Sequence, residues 1–275
     1  MREYRNIYLL PQLWRQNKLT DFKNIKLIIE YDGAGYHGWQ HQPRHISIQQ
    51  TLKEKIEAIA KEKINLIGAS RTDAGVHALA QAANFKTKSR MNEGEWQRAL
   101  NSLLPSDIVI KKVEIAPTDF HARFSSKGKI YKYLILNQTV PSALNRNYAW
   151  HIPYPLKLTE MRKAARFLIG RHDFSSFRAS SCTAENPVRR IKRLAITKKD
   201  GFIQFTIEAD AFLHHMVRNI IGTLIAVGIG KLTPDKIETI LKAKDRKLAG
   251  KTAPAHGLYL VKVIYPIRKS RSSCL

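Results

Sequence analysis

The sequence predicts an α+β fold built mainly from antiparallel sheets. Three observations support this class: strand-like and helical patterns alternate along the chain, a hairpin signal interrupts the alternation, and each half has the size of an ordinary domain. The chain has 275 residues, of which 44% are hydrophobic. That length and composition suffice for a sizeable core and place the chain between one large domain and two ordinary ones.

The first half is expected to contain three strands and two helices. Leu52, Ile56 and Ile59 recur at helical spacing, and Pro105 ends the second helical pattern. The first strand ends at Asp32-Gly33, a turn signal. The predicted strands are 25–31, 82–87 and 108–115, and the predicted helices are 49–63 and 93–103.

The second half repeats this style. Asp200-Gly201 separates two alternating segments and predicts a tight hairpin turn. Thr159 is expected to cap a helix that Gly170 ends, and Thr233-Pro234 is expected to open another. The remaining predicted elements are strands 130–136, 191–197, 202–207 and 258–265 and a long helix over 213–229.

These patterns divide the chain into four segments. We expect an N-terminal extension (1–23), an N-terminal α+β domain (24–125), a C-terminal α+β domain (126–267) and a basic tail (268–275). The domain sizes fall in the usual range.

The charge balance points to a polyanionic partner. Lys and Arg total 47 against 22 Asp and Glu, giving a net charge of +25, and such an excess favours nucleic acid over a merely soluble basic protein or a lipid binder. Two cysteines without a CxxC pattern argue against a disulfide framework or structural zinc. No apolar run is long enough for a membrane span, and the N-terminus lacks signal-peptide order, so a cytoplasmic protein is expected. The basic first twenty residues leave an organelle transit peptide open, although Glu3 counts against it.

One segment, from Gly68 to Ala78, concentrates chemical groups. It places Arg71, Asp73 and His77 among glycines and small residues. In an extended chain Arg71 and Asp73 would lie on one face, where the cation would keep the carboxylate ionised and nucleophilic. A surface turn with an incidental ion pair explains the same spacing, and spacing alone favours the turn.

The segment resembles the signature loop of the tRNA pseudouridine synthase A family, G-x-x-R-T-D-x-G-V-H-A, and matches it completely. Seven further motifs of the family occur in the same order and extend the resemblance over most of 25–265. They are Tyr31-Asp-Gly33 with Tyr36-His-Gly-Trp-Gln40, Ser47-Ile-Gln49, Phe120-His-Ala-Arg123, Lys129-Ile-Tyr-Lys-Tyr133, His172-Asp-Phe-Ser-Ser-Phe177, Phe212-Leu-His-His-Met-Val-Arg-Asn219 and Gly257-Leu-Tyr-Leu260.

The resemblance implies two ferredoxin-like halves whose sheets join around a central basic cleft. It implies an isomerase that converts uridine to pseudouridine in the anticodon stem-loop of tRNA, at tRNA nucleotides 38 to 40, without metal or cofactor and as a homodimer. Asp73 corresponds to the catalytic nucleophile and Arg71 to the arginine that helps displace the target nucleotide. Tyr131 corresponds to the tyrosine packed on the target uracil and Arg218 to the arginine paired with the catalytic carboxylate. Leu258 or Leu260 would supply an apolar wall.

The chemistry is consistent with these residues. Pseudouridine formation breaks the N1–C1′ bond of uridine, turns the base and joins C5 to C1′, so it needs no redox agent. Breaking a glycosidic bond builds positive charge on the sugar, which a carboxylate stabilises or captures. Tyr131 is a poor base at its ordinary pKa, so stacking is its expected role, while Tyr133 is expected to be a core residue.

Other interpretations stay open from sequence. His214-His215 resembles a metal pair, but adjacent helical positions point about 100° apart and no acid or cysteine accompanies them in sequence, so polar packing or phosphate contact is expected. A passive RNA-binding protein on the same scaffold would bind RNA without changing it. A nucleobase-cleaving hydrolase would release free uracil, whereas the isomerase releases nothing.

Overall fold

The computed structural model describes residues 22–266, which form a mixed α+β architecture of ten strands and five helices. The α+β class predicted from the sequence is confirmed. The extension 1–23, apart from Phe22 and Lys23, and the tail 268–275 lie outside the described residues. Within the described part of the chain, no helix is both long and apolar enough to span a membrane.

The N-terminal half supplies four strands and two helices. Two capped helices follow the expected pattern, because Ser47 accepts a hydrogen bond at the start of the first and Asn92 forms a capping box with Glu95 at the second. The elements are β1 (Lys23–Tyr31), α1 (Ile48–Ala60), β2 (Ile67–Gly68), β3 (His77–Thr87), α2 (Glu93–Leu103) and β4 (Ile108–Ala116).

The C-terminal half supplies six strands and three helices. The elements are β5 (Gly128–Leu136), β6 (Trp150–His151), α3 (Leu158–Arg166), β7 (Gly170–Asp173), β8 (Val188–Lys199), β9 (Phe202–Ala209), α4 (Met216–Gly228), α5 (Lys236–Ala243) and β10 (Leu258–Ile264). The hairpin prediction is confirmed: Lys199 pairs with Phe202, and Asp200 and Gly201 both have positive φ, 50° and 78°. Positive φ at both positions is the geometry of a tight two-residue hairpin turn.

Several predicted boundaries were wrong. α3 begins at Leu158, and its preceding residue, Lys157, makes no side-chain cap, so Thr159 is already helical. α4 begins at Met216 instead of 213, and α5 begins at Lys236, after a turn at Thr233. β3 starts at His77, five residues earlier than expected, because its first residues pair with β10 and β1. Tertiary pairing therefore lengthens a strand whose first residues carry a weak local signal.

All ten strands form one sheet with the main order β4-β1-β3-β10-β5-β9-β8-β7, while β2 adds to β3 and β6 adds to β5. Among the strands of residues 22–266, only the β3–β10 and β5–β6 pairs are parallel. The last strand, β10, lies between β3 and β5 and therefore joins the two halves. The division into domains at residues 125 and 126 stays a prediction.

Candidate active site

A cleft with a volume of about 1420 Å³ opens where the two halves meet. Its walls come from the segment between β2 and β3, the segment before β5, the start of β5, and the segment between β9 and α4. All four residues assigned to the site by the resemblance, Asp73, Arg71, Tyr131 and Arg218, line this cleft. Residues separated by up to 147 positions in sequence are thus brought to one surface.

The loop that carries Asp73 is held by the segment between β1 and α1. Trp39 N–H donates to the Thr72 carbonyl at 3.0 Å, and Val76 N–H donates to the Asp73 carbonyl at 3.1 Å. Gly38 has φ 82°, and a Cβ at this position would overlap the Thr72 carbonyl oxygen. The Asp-Ala-Gly bend inferred from spacing is therefore present, and it presents the carboxylate to the cleft.

Three basic side chains surround the Asp73 carboxylate. Arg218 Nη1 donates to Oδ2 at 2.8 Å, while His214 Nε2 lies 3.4 Å from Oδ1 and His215 Nε2 lies 3.4 Å from Oδ2. Arg218 Nε also donates to the Ala253 carbonyl at 2.8 Å. This second bond fixes the guanidinium, so Arg218 orients Asp73 from a rigid support.

Two premises about the histidines were wrong, whereas their expected role in polar packing or phosphate contact stays a prediction. His215 precedes α4 in a left-handed conformation with φ 60°, and the two rings lie 4.1 Å apart instead of diverging as helical neighbours. An acid does join them, because ligand atoms of Asp73, His214 and His215 lie within 4.8 Å of one another. Burial holds the pKa of His215 below its ordinary value, although the Asp73 carboxylate opposes that shift.

These three residues have donor types that divalent metals accept, but their setting fits a metal poorly. Arg218 already donates to Asp73 Oδ2 at 2.8 Å. A cation bound to the same oxygen would face the guanidinium charge at close range, and no second carboxylate of the described residues joins the group. The arrangement suits an oriented carboxylate better than a metal centre.

Tyr131 forms a buried wall of the cleft. Its hydroxyl is 2.8 Å from Ser70 Oγ, and its ring meets Phe212 edge-on at 5.0 Å. Burial raises the pKa of Tyr131 to about 12, and the Asp73 charge adds to the shift. Tyr131 is therefore neutral at physiological pH, and its ring is held in one orientation. Tyr133 is buried with its hydroxyl on the Pro254 carbonyl, as expected of a core residue.

Arg71 is exposed at the cleft surface and makes no ion pair within the described residues. The cation beside Asp73 is therefore Arg218, not Arg71 as the extended-chain argument suggested. Leu258 lines the cleft, whereas Leu260 is 0% exposed and lies away from it. Of the two leucines that the resemblance allowed, Leu258 is thus the one positioned to contact a bound nucleotide.

Sequence reasoning missed two groups of residues. The first is His77, for which the sequence indicates no role. It is buried, accepts from Gly33 N–H at 3.1 Å and stacks on Tyr259 at 4.8 Å. It ties the end of the loop that carries Asp73 to β10, which links the two halves. The second group is Arg123 and Arg189, which line the cleft together with Lys129, a residue whose position beside Tyr131 already suggests phosphate contact from sequence. Arg189 is 60 positions from Lys129, so only the fold brings it to the other two.

A carboxylate held by an arginine at the base of a basic, aromatic-lined cleft is an arrangement suited to an enzyme that acts on nucleic acid. A family model described as tRNA pseudouridine synthase matches residues 27–125 and 164–266. The chain belongs to the tRNA pseudouridine synthase family.

Curated relatives agree with this assignment. The tRNA pseudouridine synthase A of Thermoanaerobacter sp. is 50% identical over 243 residues, covering 88% of this chain and 100% of that protein. The proteins of the same name from Acetivibrio thermocellus and Caldicellulosiruptor bescii are each 49% identical with the same coverage. The predicted family and enzyme class, an isomerase that forms pseudouridine in tRNA, are confirmed.

Proposed function

We propose that this enzyme isomerises uridine to pseudouridine in the anticodon stem-loop of tRNA, at tRNA nucleotides 38 to 40, with Asp73 as the nucleophile. The observation that supports this best is the placement of Asp73. It is oriented by Arg218 at the base of a cleft that both halves build. A catalytic carboxylate needs such a fixed position to act on a nucleotide that enters from the surface.

The reaction requires the N1–C1′ bond to break, the base to turn and C5 to join C1′. A proton must leave C5 and a proton must join N1, which keeps the composition unchanged. Asp73 supplies negative charge, either by bonding to C1′ as the N1–C1′ electron pair leaves with the base or by adding to the base. In both routes Arg218 holds Oδ2, and Oδ1, which has His214 Nε2 3.4 Å away, is the oxygen proposed to attack. The atoms of substrate and product are the same, so the chain's own side chains suffice to balance the reaction.

Tyr131, Leu258 and Arg71 are proposed to hold the displaced nucleotide. Tyr131 offers a fixed aromatic ring, and Leu258 offers an apolar contact on the adjacent strand of the sheet. Arg71 lies at the cleft surface, two residues from Asp73, and makes no ion pair with any of the described residues, so its guanidinium can occupy the space that the flipped base vacates. Removing a base from its stack costs a few kcal/mol, which such contacts offset.

The net charge and the family resemblance support proposals for the partner, the oligomeric state and the location of the enzyme. A net charge of +25 suits the phosphates of a folded RNA, since each contact releases condensed counterions. We propose that the enzyme acts as a homodimer with one tRNA reaching across both subunits. We also propose that it acts in the cytoplasm, where newly made tRNA is available.

The test is the release of tritium from unmodified tRNA labelled at uracil C5, without added cofactors. The wild type should release tritium to water and leave the RNA chain intact, and Asp73→Asn should lose this activity. The matched control is Asp200→Asn, because Asp200 occupies the exposed hairpin turn with φ 50°, a conformation that asparagine tolerates.

Each alternative has its own outcome in this assay. Release of free uracil would indicate a nucleobase hydrolase. Tight tRNA binding with no tritium release would indicate a passive RNA-binding protein. Retained activity of Asp73→Asn would show that another group performs the chemistry.

A further inference from the structure

One side of the cleft carries three cations without a carboxylate partner. Arg123 precedes β5, Lys129 lies in β5, and Arg189 lies in β8, and all three line the cleft. Among the described residues none of them has an acidic oxygen within 4.0 Å. We refer to these three residues as the cation cluster. A surface that concentrates positive charge without neutralising it is suited to an anion.

The charges of the cluster act on one another. Burial, together with the charges of Arg123 and Arg189, lowers the pKa of Lys129 to about 8. Asp210 also lines this side, but its Oδ1 accepts from the N–H groups of Arg190 and Ala211. One oxygen of the Asp210 carboxylate therefore already accepts two backbone hydrogen bonds.

Arg189 is held in place but left partly unsatisfied. Its Nη1 donates to the carbonyls of Asn186 and Val188 at 2.8 and 2.7 Å, which anchors the guanidinium to its own loop. Its Nε is buried without a hydrogen-bond partner within the described residues. An anchored guanidinium with unused donors is a preorganised site for an oxyanion.

An exposed aromatic ring lies beside the cluster. Phe124 is 75% exposed and lines the same cleft. The Arg123 guanidinium lies 5.5 Å from its ring centre, and the His121 ring lies 4.4 Å away. The His121 Nδ1 accepts from the N–H groups of both Arg123 and Phe124, so the turn that presents the ring is fixed. A rigid, exposed ring next to cations is the combination that single-stranded nucleic acids use.

Lys129 and Tyr131 are two residues apart in β5, so their side chains project from the same face of the strand, about 7 Å apart. The cation cluster is therefore adjacent to the ring proposed to hold the target uracil. A phosphate bound by the cluster would belong to a nucleotide close to the target.

We propose that the cation cluster binds a backbone phosphate of the RNA next to the target nucleotide and that Phe124 stacks on the base of that neighbouring nucleotide. This inference rests on the proposed function, since it assigns the subsite to the same RNA. The subsite positions the RNA and takes no part in bond breaking. Its loss should therefore raise KM and Kd while leaving kcat at saturating tRNA nearly unchanged.

The experiment compares Arg123→Gln, Arg189→Gln, Phe124→Leu and Phe124→Tyr with the wild type. Arg98→Gln is the matched control, because Arg98 is exposed on α2 and lies outside the cleft. Each protein is titrated with an unmodified tRNA transcript at several salt concentrations, and tritium release is measured in parallel. Thermal unfolding checks that each variant is folded.

Each arginine variant should weaken binding about tenfold and reduce the slope of log Kd against log salt by about 1. Phe124→Leu should weaken binding about fivefold or more without changing the slope, and Phe124→Tyr should restore it, because stacking depends on the ring. Arg98→Gln should match the wild type. These results together would support the subsite.

Wild-type affinity and salt slope in both arginine variants would overturn the phosphate contact, and wild-type affinity of Phe124→Leu would overturn the stacking contact. A loss of kcat at saturating tRNA with unchanged Kd would also contradict a positioning role. The proposed function would fail in a different way, because a wild type that binds tRNA but releases no tritium would refute the isomerase activity. In that case the Kd values of the variants would still test the subsite.

Discussion

Burial and the charges of Arg123 and Arg189 disfavour the protonated form of Lys129. Replacing it with methionine keeps a long, unbranched apolar stem and removes the charge. We expect Lys129→Met to make the free protein more stable and to weaken tRNA binding about tenfold. Residues that hold a substrate commonly reduce the stability of the empty protein in this way.

The magnitude follows from the pKa of Lys129. The pKa falls from 10.5 to about 8 on folding. A difference of roughly 2.5 pKa units at about 1.4 kcal/mol each corresponds to about 3 kcal/mol at pH 7. Because methionine does not reproduce every contact of the lysine stem, the expected gain is about 1–3 kcal/mol. In a chain of this size, each kcal/mol shifts the thermal midpoint by about 2–4 °C.

The lowered pKa of Lys129 also predicts how the stability of the wild type changes with pH. Between about pH 8 and pH 10.5 the unfolded chain keeps the Lys129 proton while the folded protein releases it. The unfolded state then binds more protons, so wild-type stability gains from this group as pH rises. The difference between Lys129→Met and the wild type should therefore be largest below pH 8 and shrink towards pH 10.

The assay is urea unfolding of both proteins at pH 7 and pH 9.5, with Lys198→Met as the control because Lys198 is exposed on β8. The control should unfold like the wild type at both pH values. A Lys129→Met protein that is less stable than the wild type at pH 7 would refute the reasoning, as would a stability difference that is the same at both pH values.

Three further predictions concern the loop that carries Asp73 and the residues that hold it. Arg218→Lys should lower kcat about 10- to 100-fold with little change in KM, because an ammonium group does not reproduce the fixed guanidinium that orients Asp73; an unchanged kcat in single-turnover tritium release would contradict this role. Gly38→Ala should destabilise the protein by about 2 kcal/mol or more and abolish activity, since φ is 82° and the new Cβ overlaps the loop backbone; wild-type thermal unfolding would show that the loop adjusts freely. Tyr131→Phe should lose about 1 kcal/mol of stability with its Ser70 hydrogen bond but keep activity within about tenfold; a loss above a hundredfold would mean that the hydroxyl takes part in the chemistry.

Much of the local structure was predictable because its causes are local. The alternation in 202–207 predicted β9, and Asp200-Gly201 predicted its hairpin turn, which depends only on backbone conformations available to those two residues. The range Glu93–Leu103 predicted for α2 matches the structure, since its capping residue and helical spacing lie within one short segment.

Strand ends were predicted less well, because they depend on partners. His77 and Ala78 belong to β3 only through pairing with Tyr259 and Leu260 of β10, some 180 residues away. The predicted start of α4 at residue 213 was also wrong. The helix begins at Met216, and the chain before it is an irregular segment that turns His214 and His215 towards Asp73. Apolar periodicity does not distinguish such a segment from a first helical turn.

The sequence by itself determined the family, the nucleophile candidate Asp73 and the class of fold, because a contiguous signature and local periodicity carry that information. Only the tertiary structure decided what surrounds the carboxylate. Arg218 lies 145 positions away, and Arg71, the neighbour in sequence, is not its partner. The cation cluster likewise joins two separate segments, the entry to β5 and the start of β8. Contacts of this kind depend on how the sheet pairs β10 with both β3 and β5, and pairing between distant strands leaves no local trace in the sequence.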